Sequence, residues 1–274
     1  VFFGLVFAGF LTAALAPSIA LYPQSMVIDT GPFWDELVRL INVHLYDYLD
    51  AIKSFLLIYV LVPLKRFMVD APWLGVMAVL AVAGMRLGGL RLAVTVALMA
   101  AFIALTGNWE KAMISVYLCG LSVIIASAIG IPVGILSARH PGIRQVVRTT
   151  IDTLQTLPSF VYLIPVVMLF AVGDFSAMIA IVLYALAPAV RYADHGIRKV
   201  RPSIIEAGTM AGCKPSQLLW KVQLPLAMPE LMLGLNQTIM MALSMLVITA
   251  LVGTNDLGQE VYIAISRADI GQGV

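Results

Sequence analysis

The stretch Glu206-Ala207-Gly208-Thr209-Met210-Ala211-Gly212, followed after nine residues by Val222-Gln223-Leu224-Pro225, is a polar insert between two strongly apolar runs. Its punctuation predicts its shape. Pro202 suits the first turn of a helix, where a missing N–H goes unnoticed, and residues 203–211 are mostly good helix formers. Gly212 breaks that helix. Pro215 opens a second one over residues 216–222, which Leu224-Pro225 and Pro229 are expected to end before the next apolar run. The insert therefore reads as two short helices joined by a glycine turn, projecting from whatever the flanking runs build.

Those runs build a membrane bundle. Of 274 residues, 61% are hydrophobic and 12% charged, against about half and about a quarter in soluble domains, and the mean hydropathy is +0.97. The expected fold class is all-α, a polytopic transmembrane helix bundle with an outer-face interfacial helix and a cytoplasmic two-helix loop. Spans are expected at residues 2–22, 72–85, 92–106, 112–138, 151–172, 175–190 and 230–253, followed by a polar tail. Gly130 and Pro132 inside 112–138 predict a bend. Residues 33–68 mix apolar and charged side chains at helical spacing, the pattern of a helix lying in the membrane interface. The chain is thus divided into an N-terminal spanning and amphipathic segment, residues 1–71, and a transmembrane core, residues 72–274, with the insert at 191–229.

Topology follows from the basic loops, since short loops rich in Lys and Arg stay cytoplasmic. Arg139, Arg144 and Arg148 fall in one loop; Arg191, Arg198, Lys199, Arg201, Lys214 and Lys221 fall in the insert; Arg86 and Arg91 make a third. All three land on one side. The turns at residues 108–111 and 173–174 and the tail with Asp256, Glu260 and Asp269 land on the other. The net charge of +2 gives no reason to expect nucleic acid. Cys119 and Cys213 are far apart, and His44, His140 and His195 share no helix face, so neither a disulfide nor a metal site is expected. No constellation of catalytic side chains is evident.

The insert resembles the EAA loop of ABC importer permeases, with Gly208 and Val222 where that group often has Ala and Ile. The flanks resemble its glycine betaine/proline-type osmoprotectant branch: Gln155-Thr156-Leu157-Pro158-Ser159-Phe160-Val161-Tyr162-Leu163-Ile164-Pro165, Lys221-Val222-Gln223-Leu224-Pro225-Leu226-Ala227-Met228-Pro229 and Leu235-Asn236-Gln237-Thr238. The resemblance covers roughly residues 109–271.

It implies a type I permease-like fold in a bacterial inner membrane, multi-pass and not itself an enzyme. A cytoplasmic ATPase dimer would dock on Glu206, Ala207, Gly208, Gly212, Pro215, Leu224 and Pro225. ATP and Mg would belong to that partner, in keeping with the lack of a G-x-x-x-x-G-K-[ST] run here. A second permease copy and an extracytoplasmic solute-binding protein would complete the machine. The solute would be glycine betaine or a relative: proline betaine, choline, carnitine or trimethylamine N-oxide. A further helix after Gly271 is also implied.

Other readings of the same residues stand beside these. The insert could be a solvated loop that only sets topology, and Glu206 a first-turn carboxylate favoured by the helix dipole. Asp152, Asp174 and Asp194 read as solvated span ends. Phe160, Tyr162, Phe170 and Tyr184 suit either a cation–π cage for a quaternary ammonium or ordinary packing. Asn236, Gln237, Thr238 and Ser244 are polar in an apolar run, which fits either interhelix hydrogen bonds or a pore. Phe160, Tyr162, Asn236, Gln237, Thr238 and Ser244 are accordingly the candidates for a translocation path. The alternative function is a secondary transporter or channel for small cationic or zwitterionic solutes, for which the spans offer few embedded carboxylates.

Overall fold

A computed structural model describes residues 31–269 together with Phe7, Phe10, Asp29 and Gly271. The expected span at residues 2–22 lies, but for Phe7 and Phe10, outside the described residues. Residues up to Tyr46 and from Asp47 onward form two compact units. The first carries most of helix α1, Gly31–Leu56, with Glu36 and Arg39 paired on its exposed face at 2.7 Å. The second carries the membrane bundle.

After α1 comes a π-helical turn, Leu57–Leu61, and then α2, Val62–Val69. The Val62 N–H reaches back five residues to Leu57 O, immediately before Pro63. The same device recurs later, where Leu224 N–H reaches Leu219 O just before Pro225. A proline ring collides with the carbonyl four residues back, and a wide turn shifts that carbonyl out of the way. Leu61 is buried, and Leu57, Val60, Leu64 and Met68 pack beside it on the main core.

Helix α3, Trp73–Leu105, is a hairpin rather than a rod. Gly88 and Gly89 leave helical geometry, Gly89 with φ 73° and ψ −168°, a conformation open chiefly to glycine. A Cβ on Gly84 would lie 2.9 Å from Ala93 Cα, whereas nine residues of straight helix would hold them about 13 Å apart. The turn expected at residues 86–91 is there, with two arms packed through Gly84 and Ala93.

The heart of the bundle is α4, Trp109–Arg139, with α7, Asp174–Lys199, and α10, Leu224–Thr249. In a membrane, where lipid is as apolar as leucine, helices associate through small residues that let backbones approach. A Cβ on Gly130 would meet Ala189 Cβ at 2.6 Å, and one on Gly134 would collide with Val190 O and meet Ala193 Cβ at 2.6 Å. Gly234 abuts Tyr192 in the same way. The rising numbers of the first two contacts make α4 and α7 parallel; Tyr192 meeting Gly234 while Gly196 meets Glu230 and Ala227 makes α10 antiparallel to both. Helix α4 runs without a break through Gly130 and Pro132, and Gly130 lies at the close crossing with α7; proline inside a membrane helix is tolerated because neighbouring helices satisfy what it frees.

Two parallel helices in sequence require a return crossing, and this is where expectation and structure part. Residues 151–172 do not form one span. Helix α5, Pro141–Thr156, and helix α6, Ser159–Phe170, meet at 95°. Pro158 lacks an N–H and pushes Leu157 to an extended conformation, ψ 134°, so one helix stops and another starts. Residues 139–148, read as a loop, belong mostly to α5. By length and composition, and with this pair counted as one crossing, five elements among the described residues pass as membrane-crossing; the other four are Trp73–Leu105, which folds back as the hairpin just described, Trp109–Arg139, Asp174–Lys199 and Pro215–Val252.

The polar tail also proves structured. Helix α11, Leu257–Arg267, is capped by Asp256, whose Oδ1 accepts the Gln259 N–H at 3.0 Å. It docks on the start of α4 through Leu257 N–H to Ser115 Oγ, 2.9 Å, and Lys111 to Glu260, 2.6 Å.

Ion pairs sort to the two ends of the bundle. Lys65–Asp174 and Lys111–Glu260 lie at one. Arg148–Asp194, Arg191–Asp152, Arg198–Asp194 and Lys199–Glu230 lie at the other, which also carries the polar insert. Helices of 26 and 31 residues are about 39 and 46 Å long, more than the roughly 30 Å of hydrocarbon they must cross. The surplus of α7 is its basic last turns.

Candidate functional site

Helix α7 ends at Lys199; Val200 and Arg201 are extended, Arg201 because Pro202 follows it. Pro202 then opens α8, Pro202–Met210, and Gly212 closes it with φ 81°. Cys213 N–H bonds Gly208 O at 3.1 Å and Gly212 N–H bonds Thr209 O at 2.9 Å. That pair of bonds is a Schellman cap, which needs a left-handed residue where Gly212 stands. Pro215 starts α9, Pro215–Leu218, and the Lys214 N–H is satisfied by Gln217 Oε1 at 2.9 Å.

From there the chain passes through the π-helical turn Leu219–Gln223 directly into α10. The expected end of the second helix at Leu224-Pro225 does not occur. Pro225 lies in the first turn of α10 and Pro229 inside it, so the second arm of the insert is a rigid extension of a membrane helix.

The two arms clamp on each other and on the bundle. A Cβ on Gly208 would meet Leu218 Cδ1 at 2.6 Å, so α8 lies close against α9 here and a larger third residue would displace the Leu218 side chain. Arg139 Nη2 donates to Pro215 O at 3.2 Å, tying the knob to α4. Lys199 pairs with Glu230, closing the ends of α7 and α10. Leu219 packs with Ile197 and Ala227, and Leu224 sits half-buried beside them.

Glu206, Ala207, Gly212, Pro215 and Pro225 face solvent. With them stand two large apolar side chains, Met210, 90% exposed, and Trp220, 70% exposed. The knob thus combines exposed apolar points with one carboxylate and a basic surround of Arg201, Lys214 and Lys221, a mixture found at protein interfaces. Met210 and Trp220 were not among the expected docking residues. Their signal is a large apolar residue where helix periodicity leaves nothing to bury it.

The translocation candidates divide. Tyr162 is buried in the main core, and Thr238 is fully buried with its hydroxyl spent on Gly234 O at 2.8 Å. Phe160, Asn236 and Ser244 are exposed and Gln237 half-buried, with Ser244 bonded back to Met240 O at 3.0 Å. Two of the six are therefore buried in the single chain and four are exposed or half-buried. Phe170 stacks edge-on against Phe175, centroids 5.1 Å apart.

The aspartates read as solvated span ends are all partnered. Asp174 takes Lys65 at 2.8 Å and Asp152 takes Arg191 at 2.5 Å. Asp194, 6% exposed, accepts from Ser137 Oγ at 3.1 Å and lies beside Arg148 and Arg198. The spacing was readable: Arg148 and Asp152 stand four apart, Arg191 and Asp194 three apart, so each helix offers both signs on one face. At the other end, burial pushes the Asp256 carboxyl up, although its cap to Gln259 pulls the other way.

A family model described as "binding-protein-dependent transport system inner membrane component" matches residues 130–274. The chain is 39% identical over 244 residues to the trimethylamine N-oxide transport system permease protein TmoV of Pelagibacter ubique, covering 89% of this chain and 34% of that protein. It is 43% identical over 183 residues to the glycine betaine/proline betaine transport system permease protein ProW of Salmonella typhimurium, 67% of this chain and 51% of the relative. It is 42% identical over 165 residues to the glycine betaine/carnitine transport permease protein GbuB of Listeria monocytogenes, 60% and 58%. The chain thus spans about a third to less than two thirds of the length of these relatives.

Proposed function

Because this chain belongs to the family of binding-protein-dependent transport system inner membrane components, we propose that it forms the permease half-path of an ATP-driven importer for a small methylated amine. The observation that carries this reading is the knob of α8, α9 and the π-helical turn. It is rigid, it is rooted in α7 and α10, and it presents Glu206, Met210 and Trp220 outward. A cytoplasmic ATPase dimer grips such a knob, and its closure on ATP tilts α7 and α10 as lever arms in a rigid-body switch. ATP and Mg stay on that partner; this chain supplies the handle and the path.

The relatives named for glycine betaine, proline betaine, carnitine and trimethylamine N-oxide share one chemical feature, a methylated nitrogen with formal positive charge balanced or joined by oxygen. Solutes of that kind are the cargo proposed here, delivered by an extracytoplasmic binding protein to a pair of permease copies.

The docking claim is tested by co-purifying the ATPase with the wild-type protein and with Glu206→Lys and Gly212→Pro variants. Proline cannot adopt the positive φ of Gly212, and lysine reverses the one exposed carboxylate of the knob. Both variants are expected to lose the ATPase while remaining in the membrane. Full retention by both would contradict the reading.

A further inference from the structure

Four charged side chains join α5 to α7 in a reciprocal pattern. Arg148 and Asp152 stand one turn apart on α5; Arg191 and Asp194 stand about one turn apart on α7. The helices run antiparallel, so each arginine meets the other helix's carboxylate: Arg148 Nη2 to Asp194 Oδ2 at 3.3 Å, Arg191 Nη2 to Asp152 Oδ1 at 2.5 Å. Ser137 on α4 and Arg198 on α7 hold Asp194 from other sides. A cleft of about 290 Å³ opens at this point, lined by these charges with Ser137 and His195; beside it Ile151 of α5 packs with Ala187 and Val190 of α7, so a small apolar cluster and the crossed charges together join the two helices.

The far end of the bent pair is fastened differently. Helix α6 leaves Phe160, Val161, Ile164 and Met168 exposed along its length. It joins α7 through Ala171, φ 62° and ψ 179°, and Gly173, φ 140° and ψ −178°. Ala171 therefore occupies a backbone region that is essentially glycine-only, and such strain persists only where the surroundings enforce it. Ser176 Oγ donates to Ala171 O at 2.5 Å and is part of that enforcement.

We propose that α5 and α6 form a movable arm of the transport path, hinged at Ala171 to Gly173 and held in the present conformation by the crossed ion pairs. This rests on the importer reading. The Arg191–Asp152 pair is half-exposed on both sides, and such pairs are weak and break reversibly, which suits a latch better than a permanent joint; Asp194, buried and held by Ser137, Arg148 and Arg198, is the anchored side of the pattern. Strain at the hinge biases the arm to move once the latch opens. The release signal has a short route: Asp194 and the knob's first residue, Pro202, are separated by about a turn and a half of α7 and the two extended residues Val200 and Arg201. A tilt of the knob rotates that end of α7 and carries Arg191 and Asp194 out of register with α5.

The test uses the full-length protein in liposomes with its ATPase and binding protein, in four forms: wild type, Arg191→Asp, Asp152→Arg, and both changes together. Each single change places like charges face to face and is expected to lower ATP-driven uptake of labelled glycine betaine or trimethylamine N-oxide about tenfold. ATPase co-purification stays unchanged, and hydrolysis without solute rises about threefold. The double swap rebuilds the pair and recovers at least half of the uptake lost. Wild-type coupling in both single variants, or no recovery in the swap, overturns the latch.

A second readout does not depend on transport. With Cys119 and Cys213 replaced by Ser, Leu163→Cys, which reports the buried face of α6, reacts faster with a maleimide in the single variants and at the original rate in the swap. Equal rates in all four forms overturn the movable arm. Absence of uptake in the wild type, with the rates still differing, would instead count against the importer reading alone.

Discussion

Single atoms decide how closely the central helices approach. At Gly134 a methyl would collide with Val190 O and lie 2.6 Å from Ala193 Cβ, whereas at Gly120, on the same helix, it would meet nothing within 4 Å. Gly134→Val should therefore destabilise the bundle by about 1–3 kcal/mol through overpacking. Gly120→Ala should be neutral or gain up to about 1 kcal/mol from helix propensity. Thermal unfolding of the two purified variants checks the contrast; equal losses would mean that the α4–α7 crossing is looser than described.

Asp256 gives a pH signature at the same scale. Burial raises its folded pKa above the ordinary aspartate value of about 3.9, so the folded state binds a proton more readily than the unfolded chain. Stability from this group is fully present below the unfolded pKa and is lost as pH rises through the raised folded one. The difference in unfolding temperature between wild type and Asp256→Asn should accordingly shift in favour of the variant across that window. A difference independent of pH would show that Asp256 is not the titrating group.

At the scale of elements, proline and glycine were legible in kind but not in consequence. Pro202, Gly212 and the glycine pair at 88–89 mark breaks, as their backbone chemistry requires. Pro225 and Pro229 mark none, because a π-helical turn absorbs the first and the bundle tolerates the second. Pro158 was the reverse case. Hydropathy ran straight through residues 151–172, yet one missing N–H and one extended Leu157 turned a single expected span into two helices at 95°. Apolarity measures where a chain goes, and not whether it gets there straight.

The knob's own integrity makes an element-scale prediction. Gly208→Leu would drive a side chain into Leu218 and part α8 from α9. Trypsin should then cut at Lys214 and Lys221 about tenfold faster than in the wild type, since protease susceptibility tracks local opening. Unchanged cleavage would show that Gly208 does not clamp the arms.

Across the bundle, the loops that Lys and Arg placement groups together do share an end: residues 139–148 and the insert at one, residues 108–111, 173–174 and the tail at the other. Which loops share an end was readable because it depends on charge counts in loops. The knob was readable because its spacing is local. The crossed pairs between α5 and α7 were not, since the partners lie 39 and 46 residues apart and nothing in either helix alone says which other helix it faces. The translocation candidates suffered likewise: polarity in an apolar run picked Thr238 and Asn236 together, and packing placed one inside and one outside. Cys213, on the knob, allows orientation to be checked. It should react with an impermeant maleimide only once the cells are made permeable, and labelling of intact cells from outside would invert the topology.

The central claim, that this chain is the membrane path of an ATP-driven importer for methylated amines, is tested most directly by solute uptake. The full-length protein is placed in sealed vesicles with its ATPase inside and its binding protein outside, and labelled glycine betaine and trimethylamine N-oxide are offered in turn. Accumulation against a gradient that requires ATP, is abolished by Gly212→Pro and is competed by other methylated amines is the predicted result. Uptake that proceeds unchanged without ATP would contradict it.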